Sequence, residues 1–235
     1  MSTAPDDDQE STDWQRRVVG RSLQDARRRS IDRGARFIRA AATVLERNDS
    51  SLTVQEVADE AGQSLRTLYQ YFESKDDLLL AVFEEAMRTY ARIIRDAISP
   101  FDDPVERLVA GIIASVQMLA RHHKAGRDRA LARVRLQLGQ AEPALMARSQ
   151  EPLTALYREL VEGLGSALSA EIGVDQSAYC LAALRTALTL SMTLGNDFSG
   201  ELPDAIDLSC FCLNGLGLVH PRSWHEDIAA RLERG

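Results

Sequence analysis

The chain has little of what builds crosslinked, membrane-spanning or all-β proteins. Its three cysteines among 235 residues are an odd number that fits a reducing cytoplasm better than a disulfide framework. Cys210 and Cys212 stand two apart. On a helix such residues point about 200° from one another, so one metal ion cannot use both. All three read as small packing residues, and no metal or other cofactor is expected. Aromatic residues make up only 6% of the chain, and no stretch sustains the period-two alternation of a strand. No apolar run is long enough to span a bilayer, and the polar, acidic N-terminus lacks the charged-then-apolar form of an export signal. Also missing are paired carboxylates, a nucleophile beside a base, and a glycine loop able to cradle phosphate. An enzyme using His122 and His123, with Asp128 near the same turn, is therefore a distant alternative.

Excess positive charge is missing too: the net charge is −7 and the pI about 5.2. That excludes a generally sticky nucleic-acid binder, but the charge is unevenly spread. Residues 16–47 hold ten arginines against three acids, whereas residues 1–13 hold five acids and no base. A basic head on an acidic body is orientated toward phosphate by the body's own repulsion. The same arginines would also serve to solvate a helix face.

What is present is a tight pair of helix signals between Thr53 and Phe72. Thr53 with Glu56 forms a capping box that starts one helix at Val54. Val57, Ala58 and Ala61 give it an apolar stripe, and Ala58 is small enough for a close crossing. Gly62 stands where the chain must turn with positive φ, which glycine adopts without steric cost. Ser64 is placed to cap a second helix through the amide of Arg66 or Thr67. Leu68 and Phe72, four apart, pin that helix to a core. Leu65, Arg66, Thr67, Tyr69, Gln70 and Tyr71 remain around its surface. This is the pattern of a helix-turn-helix, although any small α-hairpin shares the caps and the glycine.

The block from about Ile31 to Phe83 resembles the TetR family of transcriptional regulators. Its most specific part is Ala61-Gly62-x-Ser64-x-Arg66-Thr67-Leu68-Tyr69-x-Tyr71-Phe72-x-Ser74-Lys75-x-x-Leu78, preceded by Phe37-Ile38-x-Ala40-Ala41-x-x-Val44-Leu45. Gln63 departs from the pattern, since the family places an apolar residue there. The resemblance implies an all-α protein with an N-terminal three-helix DNA-binding domain and a larger helical-bundle domain for effector binding and dimerisation. It also implies a sequence-specific regulator, most often a repressor released from a palindromic operator by a small molecule. A regulator or architectural protein without an effector is the alternative. Carried over residue by residue, base contacts fall on Gln55, Leu65 and Arg66, and phosphate contacts on Thr53, Ser64, Thr67, Tyr69, Tyr71 and Lys75. The chemistry agrees: Arg66 can fork onto guanine, Leu65 can touch a thymine methyl, and phosphate wants donors on a short reach.

The chain divides into an arm at 1–26 expected to be disordered or only partly helical, a DNA-binding domain at 27–75 and a helical body at 76–235. Arg27, Arg28 and Arg29 read either as a minor-groove arm or as the solvated start of a helix from about 30 to 47. Ser74 with Asp77 opens a long helix to about Ile98, the natural lever between head and body. Further helices are expected at about 103–122, 127–138, 143–170 with a break near Pro152, 175–195 and 203–219. Phe83, Met87, Tyr90 and Met118 are candidate walls of an effector pocket. The last two of these helices are apolar around much of their circumference. Leu184, Leu188, Met192, Leu213 and Leu216 are candidate contacts of a homodimer, with a buried core of a single copy as the alternative. The expected location is the cytoplasm, with double-stranded DNA, a second copy and a small molecule of unknown identity as partners, and no membrane.

Overall fold

The computed structural model describes residues 13–48, 52–122, 131–132, 134–136, 138–139, 143–168, 173–194 and 204–234. Every regular element among them is helical. The side chains of 15–17, 119–122, 166 and 188–194 are not described.

Helix α1 spans Asp13–Arg47. It begins well before the expected start near residue 30, so residues 13–26 are not an unstructured arm. The reason is local: residues 13–30 contain no proline and one glycine, many are good helix formers, and Asp13 faces the positive end of the dipole. Residues 1–12 lie outside the described residues. Packing begins only at Phe37, which is fully buried with Ala41, Val44 and Leu45.

Two short helices follow, α2 (Val54–Glu60) and α3 (Leu65–Leu68), and α1 packs against α2 and against the start of α4 (Lys75–Ile98). Ser74 caps α4, its Oγ accepting from the Asp77 amide at 3.0 Å. Along 24 residues α4 buries Leu78, Leu79, Val82, Phe83, Ala86, Met87, Ala91, Ile94 and Ile98. These join the apolar interior of the head to that of the body in one continuous core. The lever is thus a shared structural member.

Helix α5 (Pro104–His122) starts as its sequence dictates: Asp103 Oδ1 accepts from the amides of Val105 and Glu106, both at 2.9 Å. It crosses α4 and α7 closely at Gly111, where an added Cβ would meet Leu160 Cδ1 at 2.9 Å. Of the helix expected at 127–138, residues 131–132, 134–136 and 138 are described and helical, and the other half lies outside the described residues. The one expected at 143–170 is two helices, α6 (Pro143–Ser149) and α7 (Glu151–Glu162), with a 3-10 turn at Gly165–Ala167. Their break falls at Gln150, because Pro152 has no amide to continue the ladder from α6.

Helix α8 (Val174–Leu194) packs along α7, and α9 (Ala205–Gly215) packs on α5. A further helix, α10 (Arg222–Arg234), was not expected from the sequence. Its apolar residues Trp224, Ile228 and Leu232 recur every fourth position among charges, and Ile228 is fully buried. Arg231 ties it down by bonding Glu106 at 2.9 Å and lying 4.5 Å over the Phe101 ring.

The dimer candidates differ in their surroundings. Leu213 is fully buried within a single chain. Leu216 is nearly fully buried and lines an apolar groove with Leu184 and Phe211. Leu184 is half-buried, and the side chains of Leu188 and Met192 are not described. Among the described side chains of α8 and α9, the large apolar groups left exposed are Tyr179 and Phe211.

Candidate nucleic-acid interface

The head is assembled by caps. Thr53 Oγ1 accepts from the Glu56 amide at 3.2 Å, and Glu56 Oε2 accepts in return from the Thr53 amide at 2.9 Å and hydroxyl at 2.7 Å. These bonds from Thr53 hold the Glu56 carboxyl below its ordinary value, with further help from Asn48 and Arg47. The Thr53 hydroxyl proton is therefore engaged with a carboxylate, and it must turn away from Glu56 before it can meet a phosphate.

Helix α2 ends in a Schellman turn. Gly62 has φ of +62°, its amide bonds the Asp59 carbonyl at 3.0 Å, and the Gln63 amide reaches the Ala58 carbonyl at 2.9 Å. Residue 63 ordinarily makes an apolar contact back to such a helix, which explains why a greasy residue is expected there. Gln63 substitutes a polar closure: its side-chain amide donates to the Gly62 carbonyl at 2.9 Å.

The chain then enters α3 through Ser64, whose Oγ accepts from the Thr67 amide at 3.1 Å and lies 2.8 Å from the Thr67 hydroxyl. Helix α3 is a single turn, tightening into shorter bonds from Gln70 to Thr67 and from Tyr71 to Leu68. Leu68 and Phe72 are buried, and Phe37 of α1 meets Phe72 edge-on at 6.3 Å between ring centroids. With that side anchored, Ser64, Arg66, Tyr69 and Gln70 are exposed on the other, Tyr69 at 50%. Leu65 and Thr67 are half-buried. Tyr71 is half-buried as well, its ring against Phe37 at 6.0 Å, so it braces α3 on α1 in addition to any contact its hydroxyl makes.

Gln55 lies exposed on α2 with its amide donating to Asp59 at 2.9 Å, and Lys75 is exposed at the first position of α4. The structure thus brings Arg66, Thr67 and Tyr69 together on one short helix, with Gln55 and Lys75 on the elements flanking it. Gln70 is a further exposed polar side chain of this surface that was not assigned a role. It is legible only as one of the residues left over once Leu68 and Phe72 are anchored.

Arg27, Arg28 and Arg29 are exposed side chains of the continuous α1. A helix is about 10–12 Å across with its side chains, and the minor groove is about 6 Å wide. This segment enters such a groove only by unwinding; as a helix it can lie along phosphates. His122 ends α5 with its side chain undescribed, and His123 lies outside the described residues.

A short helix pair crossing on a glycine turn, braced by a third helix and presenting arginine, threonine and tyrosine outward, defines a helix-turn-helix protein. Residues 37–82 match the tetR family of bacterial regulatory proteins. The match is to this block of the chain, the part that holds the helix-turn-helix. An HTH-type transcriptional regulator of Mycobacterium tuberculosis is 31% identical over 108 residues, 46% of this chain and 49% of that protein. BetI of Brucella suis is 37% identical over 75 residues, 32% of this chain and 37% of that one. The chain thus spans about half or less of the length of the curated relatives it matches. Whole-chain likeness comes from solved structures. RolR in complex with resorcinol has a TM-score of 0.62 and 22% identity, covering 87% of this chain and 96% of that one. FadR of Bacillus subtilis with stearoyl-CoA has a TM-score of 0.57 and 21% identity, covering 79% and 99%. At these identities the likeness is one of fold. No described helix is long and apolar enough to cross a membrane.

Proposed function

We propose that this protein is a sequence-specific DNA-binding transcriptional regulator that acts in the cytoplasm as a homodimer. We further propose that it represses from a near-palindromic operator and is released by a small molecule bound in the helical body. The observation that carries this reading is the Gly62 turn. It sets α3 across α2 with Leu68 and Phe72 inward and Arg66 and Tyr69 outward, the presentation a major-groove reader needs. Arg66, with Leu65 and Gln55, reads base edges. Tyr69, Thr67, Lys75, Ser64, Tyr71 and Thr53 meet phosphate. Arg27, Arg28 and Arg29 add phosphate contacts along the flank.

Effector release is supported by the shared fold of RolR and FadR, which were solved with small molecules bound, and by the run of α4 from head to body. Phe83, Met87 and Met118 are buried in the core along this path and Tyr90 is half-buried. The test is selection of bound duplexes from a random pool at moderate salt. Near-palindromic sites with half-sites about one helical turn apart are expected. Enrichment of no sequence, or of sites without dyad symmetry, overturns the reading.

A further inference from the structure

Several polar side chains on the face of the head are already committed to the fold. The Gln55 amide donates to Asp59 at 2.9 Å, and the Gln63 amide donates to the Gly62 carbonyl at 2.9 Å. The Ser64 and Thr67 hydroxyls lie 2.8 Å apart. Gln70 differs: it is exposed, and its side-chain amide bonds no described residue. Arg66 is exposed too, and forms no ion pair with a described residue.

The rotation of the helix says where these two free groups point. Helical bonding carries on past α3, since the Tyr69 amide bonds the Leu65 carbonyl and the Phe72 amide the Leu68 carbonyl, both at 3.1 Å. Each residue along this stretch therefore turns the chain by about 100°. Leu68 and Phe72 are the anchors, at 0% and 8% exposure. Gln70 is two residues from each, so it lies about 200° around the axis from both and points away from the core. Arg66, two residues before Leu68, points the same way. Thr67, Tyr69 and Tyr71 each adjoin an anchor in sequence and lie on the flanks, in keeping with the half-burial of Thr67 and Tyr71. When such a helix lies in the major groove, the face opposite the core meets base edges, and the flanks meet phosphate.

We propose that Gln70 is a second base-reading residue of this head, and that it selects an A·T pair about two base pairs from the one Arg66 reads. An uncommitted primary amide offers a donor and an acceptor side by side. In the major groove adenine presents the matching acceptor N7 and donor N6. Guanine shows two acceptors instead, and thymine and cytosine one polar group each. Residues four apart are displaced by about 6 Å along a helix, against about 3.4 Å between base pairs, which sets the spacing. The assignment rests on the regulator reading above and adds to it which pair is read and by which atoms.

The test uses the full chain as wild type, Gln70→Ala, Gln70→Arg and Arg66→Ala. Each protein selects bound duplexes from a random pool at moderate salt, and its affinity for single-pair variants of the wild-type site is then measured. Gln70 is exposed and bonds nothing in the fold, so its substitutions should leave the head folded. The wild type should enrich an A·T pair in each half-site whose replacement weakens binding about five- to a hundredfold. Gln70→Ala should lose that preference and keep the one that Arg66→Ala removes. Gln70→Arg should prefer G·C at the same pair, because a guanidinium forks onto guanine O6 and N7. Unchanged preferences in Gln70→Ala refute the assignment. So does equal weakening on every sequence, which would place Gln70 on phosphate, or a lost preference at a pair other than A·T. If the wild type enriches no sequence, the regulator reading fails and takes this assignment with it. If it enriches a site that Gln70→Ala reads equally well, only this assignment fails.

Discussion

Ser209 and His225 meet at 2.8 Å between Oγ and Nδ1 across the seam of α9 and α10, and both residues are buried. The Ser209 hydroxyl also donates to the Ile206 carbonyl at 2.8 Å. Having one proton, it accepts from His225, so the imidazole carries a proton on Nδ1. Burial, with the His220 and Arg222 charges nearby, holds His225 below its ordinary value of 6.5. The unfolded chain therefore takes up a proton that the folded chain resists. The resulting stability is complete above about pH 6.5 and is lost as pH falls from there toward the folded value. The melting temperature should fall between pH 7.5 and 5.5, and His225→Gln should flatten that slope. Glu56 does not confuse the window, because its contribution is lost only below its own ordinary value of 4.5. Equal slopes in both proteins would refute the role given to His225.

The Gly62 turn is tested by adding one methyl group. A Cβ at this position has nothing within 4 Å, so Gly62→Ala suffers from its φ of +62° alone. The expected loss is about 1–2 kcal/mol, and Gly62→Asn should recover part of it, because asparagine tolerates the left-handed region. Denaturant titration of the three proteins measures both differences. A neutral alanine variant would mean the turn relaxes and the crossing of α2 and α3 is not fixed by residue 62.

How far the sequence could be read divides along these lines. Signals that depend on a few adjacent residues were legible: Thr53 and Glu56, Gly62, Ser64, Ser74 and Asp103 all cap or turn where their chemistry places them. Polarity misled at both ends. Residues 13–26 are helical, with nearly all their described side chains exposed, and α10 packs on only a few apolar residues spaced along a charged helix, too sparse a stripe to stand out. Burial within the apolar pair was equally hidden. Leu213 and Phe211 are both apolar residues of α9, and only the docking of α10 and α5 decides that Leu213 is core and Phe211 surface. Arg185, a buried cation of α8 at 5% exposure, is the sharpest case. Nothing in its neighbouring residues distinguishes it from a solvated arginine; its place inside the body is a tertiary fact.

The exposed face of α3 predicts a division of labour between Arg66 and Lys75. Arg66→Ala should weaken binding to the selected site by about 1–3 kcal/mol and relax preference at one base pair. Lys75→Ala should weaken every sequence alike and lower the slope of log affinity against log salt by about one. Tyr69→Phe should also act on all sequences but leave that slope unchanged, since no charge is removed. Binding to a panel of single-base variants across a salt series reads all three. Unaltered base preference in Arg66→Ala removes it from the readout.

The proposal that two copies pair through α8 and α9 is tested by two substitutions two residues apart. Phe211 is 68% exposed and borders an apolar groove of about 220 Å³ shared with Cys180, Leu184 and Gly215, while Leu213 is fully buried. A second copy seated on this face would bury Phe211 against apolar neighbours, where large aromatics carry most of an interface's energy. Phe211→Glu should therefore raise the dimer dissociation constant by about thirtyfold or more, consistent with at least 2 kcal/mol, with helix content unchanged. Leu213→Glu should instead unfold the body, because a carboxylate would be buried without a partner. Sedimentation velocity alongside circular dichroism distinguishes the outcomes, and a Phe211→Glu protein that still dimerises would place the interface elsewhere. If the heads read two half-sites together, the monomeric variant must also lose its preference for palindromes over single half-sites while keeping the Arg66-dependent base preference within each half.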